Sequence, residues 1–229
     1  MIDISTTREW VSTHSGAIIG LLEISGVNNT NPSPALDQRK QETEEALRTR
    51  YKDFKRVDFL ALPVMAAYEQ YYKRFNKTYH VQLQLESIVL KGKKLPSVSP
   101  AVDSYFRAEM ETLILTAGHD LAKLRAPLSI DVSHEGDVIP QTTGEPKTIR
   151  AGDMVMRQGS DVCCSILYGQ EPHSLISAET SHVLYVAYVP PGVPAEIVED
   201  QLRRIEENIR LFSPDIMIEQ KRLIHADQT

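Results

Sequence analysis

A histidine and an aspartate stand side by side in the segment AGHDLAKL, at His119 and Asp120. The pKa of a histidine lies near neutrality and moves easily with its surroundings, so a histidine beside a carboxylate can serve as a general base. We interpret Gly118 as the end of a long helix, which would place the pair in the following turn. The pair could equally stabilise that turn, and both interpretations stay open.

A second polar group precedes the most apolar run of the chain, in the segment SLISAETSH. Hydroxyl and carboxylate side chains at the entrance to a strand can hydrogen-bond a small polar ligand. They can also satisfy backbone groups in a turn, and the sequence does not separate these roles. The candidate ligand-binding residues of this segment are Ser177, Glu179 and Thr180.

Cations interleaved with aromatic residues make a third candidate site, in YYKRFNKTYH at 71–80 and in KGKK at 91–94. Aromatic rings can stack on bases while lysine and arginine hold phosphates, as in proteins that bind single-stranded nucleic acid. Tyr71 and Phe75 fall on a buried helical stripe, so the alternative is a solvated cationic edge. The candidate RNA-binding residues are Lys73, Arg74, Lys91, Lys93 and Lys94.

The fourth candidate is the junction between a loop and a helix, in LPSVSPAVDSYF. Ser99 can cap a helix, Pro100 suits its first turn, and the carboxylate of Asp103 complements the positive end of the helix dipole. These residues explain a helix start without any function. They would also stand at the lip of a pocket if the helix borders one.

The elements that would position these residues are helices in the first half of the chain and strands in the second. Apolar side chains with helical spacing predict helices at 34–50, 62–75, 82–91, 100–117 and 194–212. Alternating apolar residues between turn residues predict strands within 127–189, after an early strand in 16–27. Without an internal repeat or a convincing linker, this order favours one α+β domain over residues 1–229.

Composition narrows the classes of function. No apolar run approaches the roughly 18 residues of a membrane span, and the N-terminus lacks a signal-peptide pattern, so we expect a cytoplasmic protein without membrane contact. The net charge of −6 argues against a protein that coats nucleic acid but is compatible with one local basic patch. We expect no cofactor and no metal, and two reduced, buried thiols at Cys163 and Cys164.

The order of these segments resembles the B3/B4 domain, the editing and tRNA-binding part of the bacterial phenylalanyl-tRNA synthetase beta subunit, and its standalone relatives. The likeness covers roughly residues 15–195, and no synthetase catalytic motif surrounds it, so the standalone form is the better match. The residues that match the family motifs are Pro96, Val102, Asp103, Gly118, Asp120, Leu121, Gly152, Asp153, Val155, Thr180 and Val183.

The resemblance implies a three-layer α/β arrangement around a pocket that, in the synthetase, receives a misattached amino acid for hydrolysis. An aminoacyl ester is already activated, so a positioned water and suitable hydrogen-bond donors can suffice for that reaction. With this resemblance, His119 and Asp120 become the candidate catalytic residues. The candidate substrate-binding residues are Ser99, Asp103, Ser177, Glu179 and Thr180.

Three positions depart from the family pattern. Phe106 stands where the family helix has an asparagine, Ala117 where the closing turn has a histidine, and Leu175 where an acidic residue reads the tyrosine hydroxyl. Discrimination by a hydroxyl depends on a matched polar partner in the site. We therefore do not expect selection of tyrosine by its hydroxyl, and the pocket is open to another ligand.

Two hypotheses follow. The first is a standalone B3/B4-like protein that binds tRNA or aminoacyl-tRNA and, if it is an enzyme, hydrolyses a mischarged aminoacyl ester. The second is a non-catalytic module that holds a free amino acid or a small metabolite in the same pocket. A purely structural or interaction role is a third hypothesis. The sequence does not indicate the oligomeric state.

Overall fold

A computed structural model describes residues 2–30 and 32–227, and seven α-helices and eleven strands lie in these ranges. The helices are α1 (Arg8–Thr13), α2 (Pro34–Arg50), α3 (Arg56–Leu60), α4 (Pro63–Lys73), α5 (His80–Lys91), α6 (Pro100–Thr112) and α7 (Ala195–Arg210). The strands are β1 (Ile4–Thr6), β2 (Ile18–Ser25), β3 (Thr116–Asp120), β4 (Leu128–Val132), β5 (Val138–Ile139), β6 (Lys147–Thr148), β7 (Met154–Gln158), β8 (Asp161–Ser165), β9 (Gly169–Gln170), β10 (His182–Val189) and β11 (Met217–His225).

The mixed α+β class predicted from the sequence is confirmed. One sheet is antiparallel and has the strand order β11-β2-β10-β3. A second sheet has the order β1-β4-β7-β8-β9, with a parallel pairing of β1 and β4, and β5 pairs with β6. Chain segments that are distant in sequence therefore meet in both sheets.

The four-stranded sheet is buried on both faces. Helix α7 packs against one face, where a Cβ atom added to Gly20 would lie 2.9 Å from the Val198 side chain. On the opposite face, Tyr188 of β10 and Cys164 of β8 line one cavity, so the second sheet approaches from that side. A strand covered on both faces needs no polar alternation. This explains the almost continuously apolar sequence IIGLLEIS of β2.

Buried tyrosine hydroxyl groups fix α4 to its neighbours. Tyr68 donates a hydrogen bond to the carbonyl of Tyr188 at 2.7 Å, and Tyr72 donates to the carbonyl of Ile166 at 2.6 Å. A buried tyrosine normally finds such a partner for its hydroxyl group. These bonds hold α4 against β10 and the turn that follows β8.

The predicted continuation of α6 to Gly118 is wrong. The helix ends at Thr112 and is followed by Leu113, whose φ of 64° lies in the left-handed region, and residues 116–120 form β3. Pairing with β10 places Gly118 opposite Tyr185, and a Cβ atom at Gly118 would lie 3.0 Å from the Tyr105 ring. The strand therefore needs a glycine here for close packing, not for ending a helix.

Cys163 and Cys164 are both free and buried, which confirms the prediction of two reduced thiols. Burial raises the pKa of the Cys164 thiol to about 12. Apolar side chains from Ile4 to Ala226 contribute to one continuous core. In the part of the chain that the structure describes, no helix combines the length and the apolar character needed to cross a lipid bilayer.

Candidate functional site

The structure does not bring His119 and Asp120 together as a hydrogen-bonded pair. They are successive residues of β3, so their side chains point to opposite faces of the strand. The Nδ1 atom of His119 lies 2.8 Å from Ser174 Oγ, and the buried Nε2 atom has no hydrogen-bond partner among the described residues. Burial lowers the pKa of His119 to about 3, so the ring is neutral and closed to solvent.

Asp120 instead joins the hydroxyl-rich segment after β9. Thr180 Oγ1 donates to Asp120 Oδ2 at 2.8 Å, and the Ser177 backbone N–H donates to Thr180 Oγ1 at 2.9 Å. The Ser177 hydroxyl donates to Glu179 Oε2 at 2.9 Å, which lowers the pKa of this exposed carboxyl. The structure thus places four predicted site residues in one network, where they already bond to one another.

A buried amide connects this network to the start of α6. Asn29 Nδ2 donates to the Ser177 carbonyl at 2.7 Å and to Ser99 Oγ at 3.2 Å. Asn29 Oδ1 accepts from the Ala101 backbone N–H at 2.8 Å. The side chain of Ser99 makes no capping bond, although the sequence predicted one. Instead, the side chain of Asn29, which comes from a distant segment of the chain, accepts a hydrogen bond from a backbone N–H group at the start of the helix.

Asp103 is buried beneath the loop that leads into α6. Its carboxylate lies 2.5 Å from Lys40 Nζ and accepts from the Val98 backbone N–H at 2.9 Å. Ser99 and Asp103 also border a shallow groove of about 320 Å³. Because Asp103 has both a counter-charge and a backbone donor, its environment is that of a residue that fastens the loop to α2.

A separate cavity of about 380 Å³ lies among α5, α6, β3 and the turn after β8, and we call it the α6 cavity. Phe106, Ala117 and Leu175, the three residues that depart from the family pattern, all line it. Its polar lining comes from His80, Gln84, Glu109, Thr116, Ser165, Gln170 and Tyr188. The predicted catalytic and substrate-binding residues lie elsewhere.

Glu109 is the carboxyl group of this lining. Its Oε1 atom accepts from the Thr116 backbone N–H at 2.7 Å, and its second oxygen has no hydrogen-bond partner among the described residues. Burial raises the pKa of Glu109 well above its usual range. A carboxylic acid that is kept neutral in this way can donate as well as accept a hydrogen bond. Glu109 can therefore bind a polar group of a ligand in the cavity.

Tyr188 contributes a second polar group with free bonding capacity. Its hydroxyl is buried, the Cys164 thiol is its only polar neighbour within the described ranges, and a thiol is a weak hydrogen-bonding group. Most buried polar groups are satisfied, so two incompletely satisfied groups in one cavity need an explanation. A bound ligand with its own donors and acceptors would supply it.

Sequence reasoning missed Glu109 because it predicted the helix at 100–117 from apolar side chains alone. The buried side of the helix also includes Tyr105 and, one turn later, Glu109. Acidic side chains are seldom fully buried unless they are paired. A glutamate four residues after an aromatic residue, on the inner side of an amphipathic helix, was the signal that could have identified the site.

The predicted RNA-binding residues form two groups at opposite ends of α5. Lys73 and Arg74 precede this helix, and the KGKK segment at 91–94 ends it. The helix has 12 residues, which corresponds to a length of about 18 Å. All five cationic side chains are exposed.

No family model matches the chain, and no curated protein matches it in sequence. Among solved structures, the chain is similar to an N-terminal fragment of the phenylalanyl-tRNA synthetase beta subunit from Pyrococcus horikoshii. The sequence identity is 8% and the TM-score is 0.45, which is a partial likeness of fold. The match covers 97% of this chain and 52% of that one, so the chain spans about half the length of the fragment.

Proposed function

We propose that the chain is a B3/B4-like protein that binds the aminoacyl end of a charged tRNA, with the amino-acid side chain in the α6 cavity. One observation carries this proposal. Phe106, Ala117 and Leu175 were selected by motif position alone, yet they line the same cavity from α6, β3 and the loop after β9. The proposal treats the chain as one domain, for which a single cooperative unfolding transition is the expected result.

The lining of the cavity favours an apolar side chain in the ligand. Its volume of about 380 Å³ suits a small ligand, since ligand pockets span roughly 300–1,000 Å³. At the three positions of departure, phenylalanine, alanine and leucine replace side chains that could have made polar contacts. Glu109 and Tyr188 are then the groups that can bond the amino or carbonyl group of the aminoacyl ester.

For a hydrolytic version of this function, Glu109 is a better acid–base group than His119. Glu109 lines the cavity, and burial raises its pKa well above the usual range, so the carboxyl group can hold a proton that it donates to a ligand. His119 does not line the cavity, and its ring is fully buried. The other predicted catalytic residue, Asp120, is held by Thr180 and Lys123.

The test is to mix the purified protein with total tRNA that carries labelled amino acids, and to measure both binding and loss of the ester bond. Faster ester loss for one amino acid would establish a trans-editing hydrolase. Retention of charged tRNA over uncharged tRNA, without ester loss, would establish a binding module. If neither occurs, the proposal is wrong. If either occurs, Ala117→Phe, which fills the cavity, should abolish it, and an unchanged result would also contradict the proposal.

A free amino acid or a small metabolite in the same cavity is the second candidate. The net charge of −6 favours it, because long-range repulsion opposes the approach of a polyanion. A thermal-shift screen of amino acids and their amides would detect such a ligand. Saturation at about 100 times the dissociation constant would stabilise the protein by about 2.7 kcal/mol. The Ala117→Phe variant should lose this shift.

A further inference from the structure

Two lysines lie over the ring of Tyr168 at the surface of the molecule, and an arginine lies near one of them. Lys77 Nζ lies 3.8 Å and Lys147 Nζ 5.2 Å from the centre of this ring. Arg150 Nη1 donates to the carbonyl of Phe75, just before Lys77 in the chain. We call Lys77, Lys147 and Arg150 the basic cluster. It joins the loop before α5 to β6 and the residues that follow β6.

No close ion pair neutralises the basic cluster, although the charge of the buried Asp153 carboxyl acts on Lys77 from a greater distance. Within the described ranges, none of its three cations has a carboxylate oxygen within 4.0 Å. Arg157, by contrast, is paired with both Asp131 and Asp137. The pKa of Lys77 is lowered, first by burial and then by the charges of Lys147 and Arg150. Like charges held this close together favour a bound anion.

The basic cluster and the α6 cavity share one wall, the segment 166–170. Ile166, Gly169 and Gln170 line the cavity. Between them, the Leu167 carbonyl accepts from Lys77 Nζ at 3.4 Å, and Tyr168 contacts the lysines. A ligand that has an anionic part next to an apolar end could therefore occupy both features at once.

We propose that the basic cluster binds backbone phosphates of a single-stranded RNA end whose terminal group enters the α6 cavity. The choice of RNA rests on the proposed function, whereas the anion site itself rests on the unpaired cations. Tyr168 would hold the two ammonium groups in place through cation–π contacts. A membrane surface fits less well, because basic lipid-binding clusters typically contain about 4–8 cations. The KGKK segment at 91–94 would then lie outside the phosphate site.

The test compares K77Q/K147Q with the matched control K52Q/K55Q, which removes two exposed lysines that lie outside all the candidate RNA-binding residues. Binding of fluorescently labelled, uncharged tRNA would be measured by polarisation between about 50 and 200 mM salt. We expect K77Q/K147Q to weaken binding about tenfold and to reduce the slope of log K against log salt by about 1 for each lysine. The control should bind as the unaltered protein does, and all three proteins should have the same melting temperature.

Two results would overturn the phosphate site: a loss in the control as large as that in K77Q/K147Q, or no loss in K77Q/K147Q. A second experiment adds one of two competitors to the labelled tRNA. One is a vesicle that contains phosphatidylserine, and the other is a polyglutamate peptide. If either competes with the labelled tRNA as strongly as unlabelled tRNA does, RNA is the wrong partner. Uncharged tRNA carries no amino acid, so failure of the cavity proposal, tested with Ala117→Phe, would leave this readout unchanged.

Discussion

Two carboxyl groups of α6 are both buried, but their surroundings differ in charge. Asp103, in the first turn, has the ammonium group of Lys40 at 2.5 Å and a backbone donor from Val98. Glu109, further along the helix, has one backbone donor and, among the described residues, no cation paired with it. A paired buried carboxylate fastens elements together, whereas an unpaired one becomes neutral and stays available. We therefore assign a structural role to Asp103 and a ligand-binding role to Glu109.

The largest expected effect comes from breaking the pair at the helix start. Asp103→Asn would leave the buried ammonium group of Lys40 without its counter-charge, so the free energy of unfolding should fall by about 3–5 kcal/mol. Urea unfolding near pH 7 measures this. Glu109→Gln is the matched control and should cost less than about 1 kcal/mol, because it keeps the shape and the acceptor for Thr116. Equal losses in the two variants would contradict the comparison.

A smaller effect is expected from filling the α6 cavity. Ala117→Phe adds a ring where the ligand side chain would lie, so binding of charged tRNA should fall at least tenfold, or by about 1.4 kcal/mol. Ala122→Phe, at an exposed position just after β3, is the control and should change little. Unaltered binding by Ala117→Phe, together with normal unfolding, would show that the ligand lies elsewhere.

The smallest expected effect is a dependence of the protein's stability on pH that arises from Glu109. Burial raises the pKa of Glu109 in the folded state above its ordinary value of 4.5. Its contribution to stability is therefore full below about pH 4.5 and is lost as the pH rises towards the folded-state pKa. Glu109→Gln does not titrate, so its stability relative to the unaltered protein should improve with rising pH. Unfolding curves at several pH values test this, and a constant difference would contradict it.

The sequence predicted those elements whose signals are local. Helix α2 has the predicted bounds, 34–50, because Ser33 caps it and Pro34 begins it. Helix α5 ends at Gly92, whose φ of 63° suits a glycine. Strands β3 and β11 were missed, because both depend on pairing with strands far away in the chain. Pairing with β10 decided the state of β3 against its apparent helical continuation.

The candidate site also has parts that the sequence predicted and parts that only the folded structure shows. The positions of Phe106, Ala117 and Leu175 followed from motif order, but their convergence on one cavity required the tertiary structure. The basic cluster could not be predicted from a single segment, because Lys77 meets Lys147 and Arg150 only after folding. In the sequence, Lys77 had the same appearance as the lysines of the KGKK segment.

The most direct test of the central claim is the affinity for charged tRNA of two variants, Glu109→Gln and His119→Gln, measured beside the rate of ester loss. If Glu109 contacts the aminoacyl group, its variant should bind at least tenfold more weakly or lose any ester hydrolysis, whereas His119→Gln should retain both properties. If Glu109→Gln behaves as the unaltered protein does and His119→Gln loses affinity or hydrolysis, the assignment of the site to the α6 cavity is wrong.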